Sequence, residues 1–466
     1  MAHFVRRTTI AAPASALDQW HARPGAFGRL TPPWQDVRVE QHEGIEEGDR
    51  AIIRLHAGPA SVRWVAEHGP RVEGRSFSDT QVEGPFAAWR HLHRFLPLDE
   101  ERSILEDDVT YRLPLQPLSA PFRPLARREL DRLFGYRHRV TKEDIERHEA
   151  AALPPLTIAI SGSSGMIGEA LAAFLLTGGH RVVRLVRSRE VAEALHRSDA
   201  ERAVYWSVDD GEIDERALAD AAPDAVVHLA GEPVYGPRWT NAKKRRIWES
   251  RTKGTKILAR ALARLSPRPG VLLSASGAHY YGDRGYERLT ESDAPGKGFL
   301  PELTQAWEAA TTEAQGAGVR TVHLRIGAVL SPAGGALAKL LPLFSVGLGG
   351  YVGRGHRFVP WIALDDVLYA ILHLLRHEIE GPVNLTAPVP VTGKRFAEAL
   401  GTVLRRPAAL PAPPSLLTLA AGEMAREAAL TSLRVLPQRL LDSGFTFAYP
   451  SLDDALRHLL GRTSVD

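Results

Sequence analysis

Two textures of hydrophobic and polar positions divide this chain near residue 153. Before it, apolar and polar residues alternate in short runs such as Val37-Arg38-Val39-Glu40, Ala51-Ile52-Ile53-Arg54-Leu55-His56 and Ser61-Val62-Arg63-Trp64-Val65, each bounded by Gly, Pro or charged turns. Successive side chains on a strand point to opposite faces, so this period of two predicts half-buried antiparallel strands. A strand-like start over 4–10, a helix-like piece over 14–21 and strands through Tyr111 lead to a long helical pattern over 124–147. There Leu125, Leu130, Leu133, Phe134 and Val140 recur at near-helical spacing between arginines. An α+β arrangement, a curved antiparallel sheet around one long C-terminal helix, buries that stripe most simply.

Leu153-Pro154-Pro155-Leu156 then forms a short, stiff linker. Beyond it apolar strands alternate with helices: strands over 157–160, 181–186, 225–229, 271–274 and 321–325, with a helix over about 165–176 after the first. That alternation predicts an α/β, doubly wound parallel sheet. The domains are therefore 1–153 and 154–466, with a proline-rich break at 407–414 before a last helical segment, and no internal repeat.

Composition narrows the class. Apolar residues make up 44% and charged residues 24% of 466 positions, which excludes disordered, collagen-like and coiled-coil chains. The net charge of +3, from 58 basic and 55 acidic residues, gives no electrostatic ground for a nucleic-acid partner. Cysteine is absent, which removes disulfides, thiolate metal sites and cysteine nucleophiles. Arg6-Arg7 is followed by a stretch too polar for an export signal, and no apolar run reaches the roughly 18 residues of a membrane span. A cytoplasmic location is the expectation.

The strongest chemical signal is Thr157-Ile158-Ala159-Ile160-Ser161-Gly162-Ser163-Ser164-Gly165-Met166-Ile167-Gly168, a strand entering Gly-x-x-Gly-x-x-Gly and a helix. Glycines permit a tight turn and close backbone approach to a pyrophosphate, and the helix start supplies amide donors. Within a βαβ frame this predicts nucleotide binding rather than a plain turn. The second strand ends in Val186-Arg187-Ser188-Arg189, with no acid for ribose hydroxyls. Arg187 and Ser188 there suit a 2′-phosphate, so the expected cofactor is NADP(H).

With these residues in view, the second domain resembles the extended short-chain dehydrogenase/reductase (SDR) superfamily with its Rossmann-type sheet, and more narrowly an epimerase-like family within it. The resemblance rests on the glycine motif, Val227-His228-Leu229-Ala230-Gly231-Glu232-Pro233, Ser250-Arg251, Ser274-Ala275-Ser276-Gly277-Ala278-His279-Tyr280-Tyr281-Gly282, Leu324-Arg325-Ile326-Gly327 and Pro360-Trp361-Ile362-Ala363-Leu364-Asp365-Asp366. It implies a small C-terminal extension from about residue 408, and a cofactor running along Leu229, Ala230, Gly231, Glu232, Arg251 and Ser274. A homodimer is the assembly it implies. The first domain is similar, most clearly over 77–95, to the helix-grip SRPBCC (START-like) superfamily, which implies a cavity for an apolar ligand.

The superfamily's acid–base pair, Tyr-x-x-x-Lys, is missing: Leu303 and Trp307 stand where it is expected. Ser276 and Tyr281 are the remaining candidates for proton transfer, set against a turn-capping Ser276 and a packed Tyr281. Arg251 reads equally as a ligand contact or a solvated helix arginine. Asp365 and Asp366, read on an extended strand, would face opposite ways, and Asp366 is expected to be structural. His91 and His93 share a strand face but show no third metal ligand, so no metal is expected and they read as cavity-lining or surface residues. Lys243-Lys244-Arg245-Arg246 reads as a solvated helix face.

Two functions remain open at this point. One is an NADP(H)-dependent oxidoreductase acting on a small, apolar molecule. The other is a non-catalytic NADPH-responsive binding protein; nucleotide-sugar epimerisation or dehydration is a weaker third.

Overall fold

The computed structural model describes residues 1–58, 60–115, 118–194, 200–236 and 238–462. The chain divides into two compact units. One comprises Met1–Leu153 with Ala173–Gly179 and His458–Asp466, and the other Pro154–Ala172 with His180–Arg457.

The first unit carries seven strands: β1 (Ala2–Ile10), β2 (Asp36–His42), β3 (Arg50–Ala57), β4 (Ala60–His68), β5 (Ser76–Glu83), β6 (Ala88–Pro97) and β7 (Ser103–Arg112). They form one antiparallel sheet in the order β1-β7-β6-β5-β4-β3-β2. The helices α1 (Ala14–Ala22) and α2 (Ala26–Leu30) connect β1 to β2, and the 29-residue α3 (Arg123–Ala151) follows β7. Proline at the start of α3 costs nothing because its missing N–H lacks a partner there anyway. Leu130 and Phe134 of α3 pack on Phe4, Trp89, Val109 and Tyr111 with Leu133 beside them, so this part of the predicted stripe closes the sheet's inner face, whereas Leu125 lies exposed near the start of the helix.

The second unit holds β8 (Thr157–Ser161), β9 (Arg181–Val186), β10 (Glu201–Ser207), β11 (Glu212–Ile213), β12 (Ala225–His228) and β13 (Val271–Gly277), with Arg320–Ile326 and Gly381–Leu385. The sheet order is β11, β10, β9, β8, β12, β13, then those last two strands. All pairs are parallel except β10 with β11. The strands of the sheet centre are buried and mostly apolar, with polar residues such as Ser161, His228 and Ser274 toward their C-terminal ends. Strands β10, β11 and Gly381–Leu385 extend the sheet beyond the five predicted from the sequence. Sequence order reverses between β8 and β12, and a doubly wound sheet opens a ligand crevice at such a point. Among the described residues, no helix is long and apolar enough to cross a membrane.

Candidate functional site

The site forms where β8, β9, β12 and β13 end together. After Ser161 the chain turns at Gly162, whose φ of +68° lies in the left-handed region that only glycine enters freely. A Cβ on Gly162 would stand 2.9 Å from the Ala230 amide nitrogen, and one on Gly168 only 2.2 Å from the Gly162 carbonyl oxygen. Bare backbone is therefore required for this loop to lie against both its own helix, α4 (Met166–Thr177), and the loop after β12. Ser163 is buried, Ser164 and Gly165 are exposed, and Met166 and Ile167 are half-buried in the first turn. The exposed pair stands just before the free amides of that turn, where an anion is stabilised. From β9, Arg184 Nη1 donates 2.9 Å to the Ser163 carbonyl, fixing the loop from below.

The junction between the two loops is stapled by side chains. Ser161 Oγ accepts from the Leu229 and Ala230 amides at 3.1 and 3.3 Å and lies 2.6 Å from His228 Nδ1. His228 Nε2 lies 2.9 Å from Thr255 Oγ1, which also accepts from Trp307 Nε1 at 2.9 Å. Burial, helped by nearby Arg251, lowers His228 to about 4, so this imidazole is neutral and acts as a spacer. His228 and Thr255 escape sequence reasoning because they matter only once three elements meet.

Arg187 lies exposed just past β9 and forms no ion pair among the described residues. Ser188 is otherwise engaged: its Oγ donates to Glu190 Oε2 at 2.5 Å and accepts the Val191 amide at 3.2 Å, capping the next helix. Along the β12 loop, Leu229 and Ala230 are half-buried and Gly231 is exposed. The Glu232 amide donates to Ser250 Oγ at 3.0 Å and its carboxylate meets Lys243 Nζ at 2.6 Å. Lys244 meets Glu423 at 2.7 Å, so part of the basic run is paired rather than solvated. Arg251 is buried; its Nη1 donates to the carbonyls of Glu232 and Ile247, and its guanidinium lies 4.8 Å from the Trp307 ring centre. The solvated reading of Arg251 is thereby corrected: it holds the loop backbone. Ser274 is also buried, and its Oγ has no hydrogen-bond partner among the described residues.

At the end of β13 the candidate hydroxyls fall into a charged network. Ser276 Oγ donates to Glu308 Oε1 at 2.8 Å, and Arg325 grips the same carboxylate with two bonds, 2.8 and 2.9 Å. Burial works to lower Arg325, yet the Glu308 carboxylate outweighs it and the guanidinium is held above its usual value. Tyr281 is fully buried among Leu289, Leu433 and Val435. Its phenol donates to Asn384 Oδ1 at 2.7 Å and accepts from Arg325 Nη1 at 3.0 Å. Burial pushes the phenol up to about 12, so the geometry speaks against Tyr281 as a proton donor and for the packed reading. The neighbouring Tyr280 is half-buried, with the Arg325 guanidinium 3.4 Å from its ring centre. Leu303 and Trp307 are buried core residues.

Asp365 and Asp366 lie in the first turn of the helix Leu364–Arg376, not on a strand. Acidic residues favour that position because they face the positive end of the helix dipole. Asp366 accepts from the Ala448 and Tyr449 amides at 2.7 and 3.1 Å.

In the first unit, His91 and His93 do have further partners that sequence spacing could not supply. Both are buried on one face of β6, and Asp79 of β5 stands directly opposite His91. One donor atom from each of Asp79, His91 and His93 lies within 4.8 Å of the other two. Burial opposes charge on both rings; flanking Asp107 and Asp79 overcome it at His91, raised to about 9, whereas His93 is lowered to about 3.

The sequence profile of the NAD dependent epimerase/dehydratase family matches residues 158–386, and that of a domain of unknown function, DUF1731, matches 412–459. An epimerase family protein of Mycobacterium bovis is 40% identical over 307 residues, 66% of this chain and 98% of that protein. The crystal structure of the nucleoside-diphosphate sugar epimerase from Corynebacterium glutamicum superposes with a TM-score of 0.78 at 32% identity, covering 98% of this chain and 90% of that one. A human epimerase family protein crystallised with NADPH gives a TM-score of 0.58 at 29% identity, covering 65% of this chain and 99% of the human one.

Proposed function

The chain belongs to the NAD-dependent epimerase/dehydratase family, with the DUF1731 extension at its C-terminal end, and from that premise we propose that its second unit is an NADP(H)-dependent oxidoreductase acting on a small molecule. The observation that carries the reading is the convergence of the Gly162–Gly168 loop, the Leu229–Glu232 loop and exposed Arg187 at the reversal of strand order. The residues present fit the cofactor: Gly162 and Gly168 let the loop turn tightly against its own backbone and the Ala230 amide, Ser164 and Gly165 lie exposed before the free amides of α4, and the buried Ser274 Oγ lacks a partner among the described residues. The human relative crystallised with NADPH supports the phosphorylated form.

The glycine loop and the start of α4 would hold the pyrophosphate, and Arg187 the 2′-phosphate. Bound there, NADP(H) supplies the hydride acceptor or donor. Ser276, held by Glu308, which Arg325 fixes in turn, is the hydroxyl we assign to the substrate side of the cofactor, at the end of β13. Its proton is already directed at Glu308, so it orients a substrate oxygen more readily than it protonates one. A second reading, a non-catalytic NADPH-responsive protein, is favoured by the sealed Tyr281 and by Leu303 and Trp307 in the core. Epimerisation of a nucleoside-diphosphate sugar would call for a proton-transfer pair that these positions do not supply.

For the first unit we propose a helix-grip (SRPBCC) domain that holds an apolar small molecule. An antiparallel sheet, a long helix and a cavity of about 180 Å³ with a largely apolar lining support it.

Native mass spectrometry of the freshly purified full chain, followed by denaturation and identification of what is released, tests the proposal. Release of NADP(H) is expected, with a substrate-dependent change in NADPH absorbance separating the oxidoreductase from the binding protein. No nicotinamide on isolation, and none bound on adding NADPH, would overturn it.

A further inference from the structure

The inner face of the first unit's sheet is apolar except for one polar island. Inward positions on β6 run Trp89, His91, His93 and Phe95, and on β7 Leu105, Asp107, Val109 and Tyr111. Asp79 adds a carboxylate from β5. Burying two imidazoles and two carboxylates in such surroundings is costly unless every polar atom is matched.

The matching is incomplete. His91 Nδ1 lies 3.1 Å from Asp79 Oδ2, and its Nε2 lies 3.2 Å from Asp107 Oδ1. His93 Nδ1 lies 2.6 Å from the same Asp107 oxygen. These are ion-pair distances, yet His91 Nε2, His93 Nδ1 and Asp107 Oδ1 are out of line for hydrogen bonds and remain unpartnered. The second Asp107 oxygen is fixed by His138 Nε2 at 2.9 Å, and His138 Nδ1 is fixed by Thr8 Oγ1 at 2.8 Å. Among the described residues, three buried polar atoms of this island, one on each of His91, His93 and Asp107, therefore lack a matched hydrogen bond, a deficit that a bound ion can relieve.

We propose that Asp79, His91 and His93 form a binding site for a divalent first-row transition metal, with Asp107 and His138 orienting the ligands from behind. Two imidazoles and a carboxylate suit Fe²⁺, Co²⁺ or Zn²⁺, and such a set leaves coordination positions open. All three ligands also line the cavity of about 180 Å³, whose walls are mostly apolar, among them Ile53, Leu55, Trp64 and Leu133, with His21, His68 and Arg137 also in the lining. An apolar guest carrying one oxygen or nitrogen donor is the class of molecule that would complete the coordination. The Asp107–His138 pair supplies the carboxylate backing that metal-bound histidines ordinarily have.

Co²⁺ titration of the EDTA-treated, dialysed full chain, followed by visible d–d absorption, tests the site. A single equivalent should bind and be displaced by Zn²⁺. Asp79→Asn and His93→Gln should weaken binding by at least about 100-fold, and His138→Gln by about 10–100-fold, with unchanged far-UV circular dichroism. X-ray absorption of the cobalt-loaded wild-type chain gives a readout independent of how the variants fold, and two imidazole ligands are expected. Absence of stoichiometric binding, binding that survives in Asp79→Asn and His93→Gln, or cobalt without imidazole ligands would each overturn the proposal and leave a proton as the only bridge.

Discussion

Replacing Tyr281 by Phe separates a catalytic phenol from a packing one. The substitution removes one oxygen from a fully buried site, where it donates to Asn384 Oδ1 at 2.7 Å and accepts from Arg325 Nη1 at 3.0 Å. Arg325 keeps its two bonds to Glu308, so its charge stays matched and its loss is limited to one donor. Asn384 keeps its Nδ2 bond to the Leu436 carbonyl at 2.9 Å but loses the partner of its oxygen. Stranding one buried acceptor and one donor costs about 2–3 kcal/mol, which for a unit of about 300 residues lowers Tm by about 3–5 °C. Calorimetry of the wild-type and variant chains measures that shift, and titration with NADPH measures affinity, expected to change by less than about twofold because neither lost bond faces the glycine loop. An unchanged Tm accompanied by loss of hydride transfer would refute the reasoning and return Tyr281 to the role of acid.

Three further outcomes are expected. Arg187→Ala should weaken NADPH by about 10–100-fold, the worth of a charge-assisted phosphate contact, and leave NADH unaffected; equal losses would dismiss the 2′-phosphate assignment. Gly168→Ala places a methyl group 2.2 Å from the Gly162 carbonyl oxygen, backbone against backbone, so nucleotide binding measured by fluorescence should be abolished while the first unit stays folded. His228, neutral and lowered to about 4 when folded, takes up its proton first in the unfolded chain. It therefore contributes stability above pH 6.5 that is lost as pH falls toward 4, about 3 kcal/mol in all, and His228→Asn should flatten that part of the urea-midpoint profile.

What could be read from the sequence was local. The glycine loop declares itself because its constraint lies within one turn, and Arg187 because it follows the second strand at a fixed distance from Gly162. The alternation of β3 and β4 and the apolar stripe of α3 are likewise properties of single elements. What was missed depends on elements meeting. Tyr281 is sealed partly by Leu433 and Val435, which lie about 150 residues further along the chain. Glu308 becomes part of the site only through Arg325, and Asp79 reaches His91 only through the register of β5 on β6. Asp365 and Asp366 read as strand residues because the preceding Trp361–Ala363 strand passes into the helix without a glycine or proline to mark the change; two acids ahead of an apolar run are the available signal.

The central claim is a phosphate-selective nicotinamide site at the junction of β8, β9 and β12. It is tested most directly by titrating the same preparation of the full chain with NADPH and with NADH and comparing dissociation constants. The account predicts NADPH binding tighter by at least about tenfold, the worth of one charged contact to the 2′-phosphate. Equal affinities, or a preference for NADH, would contradict it.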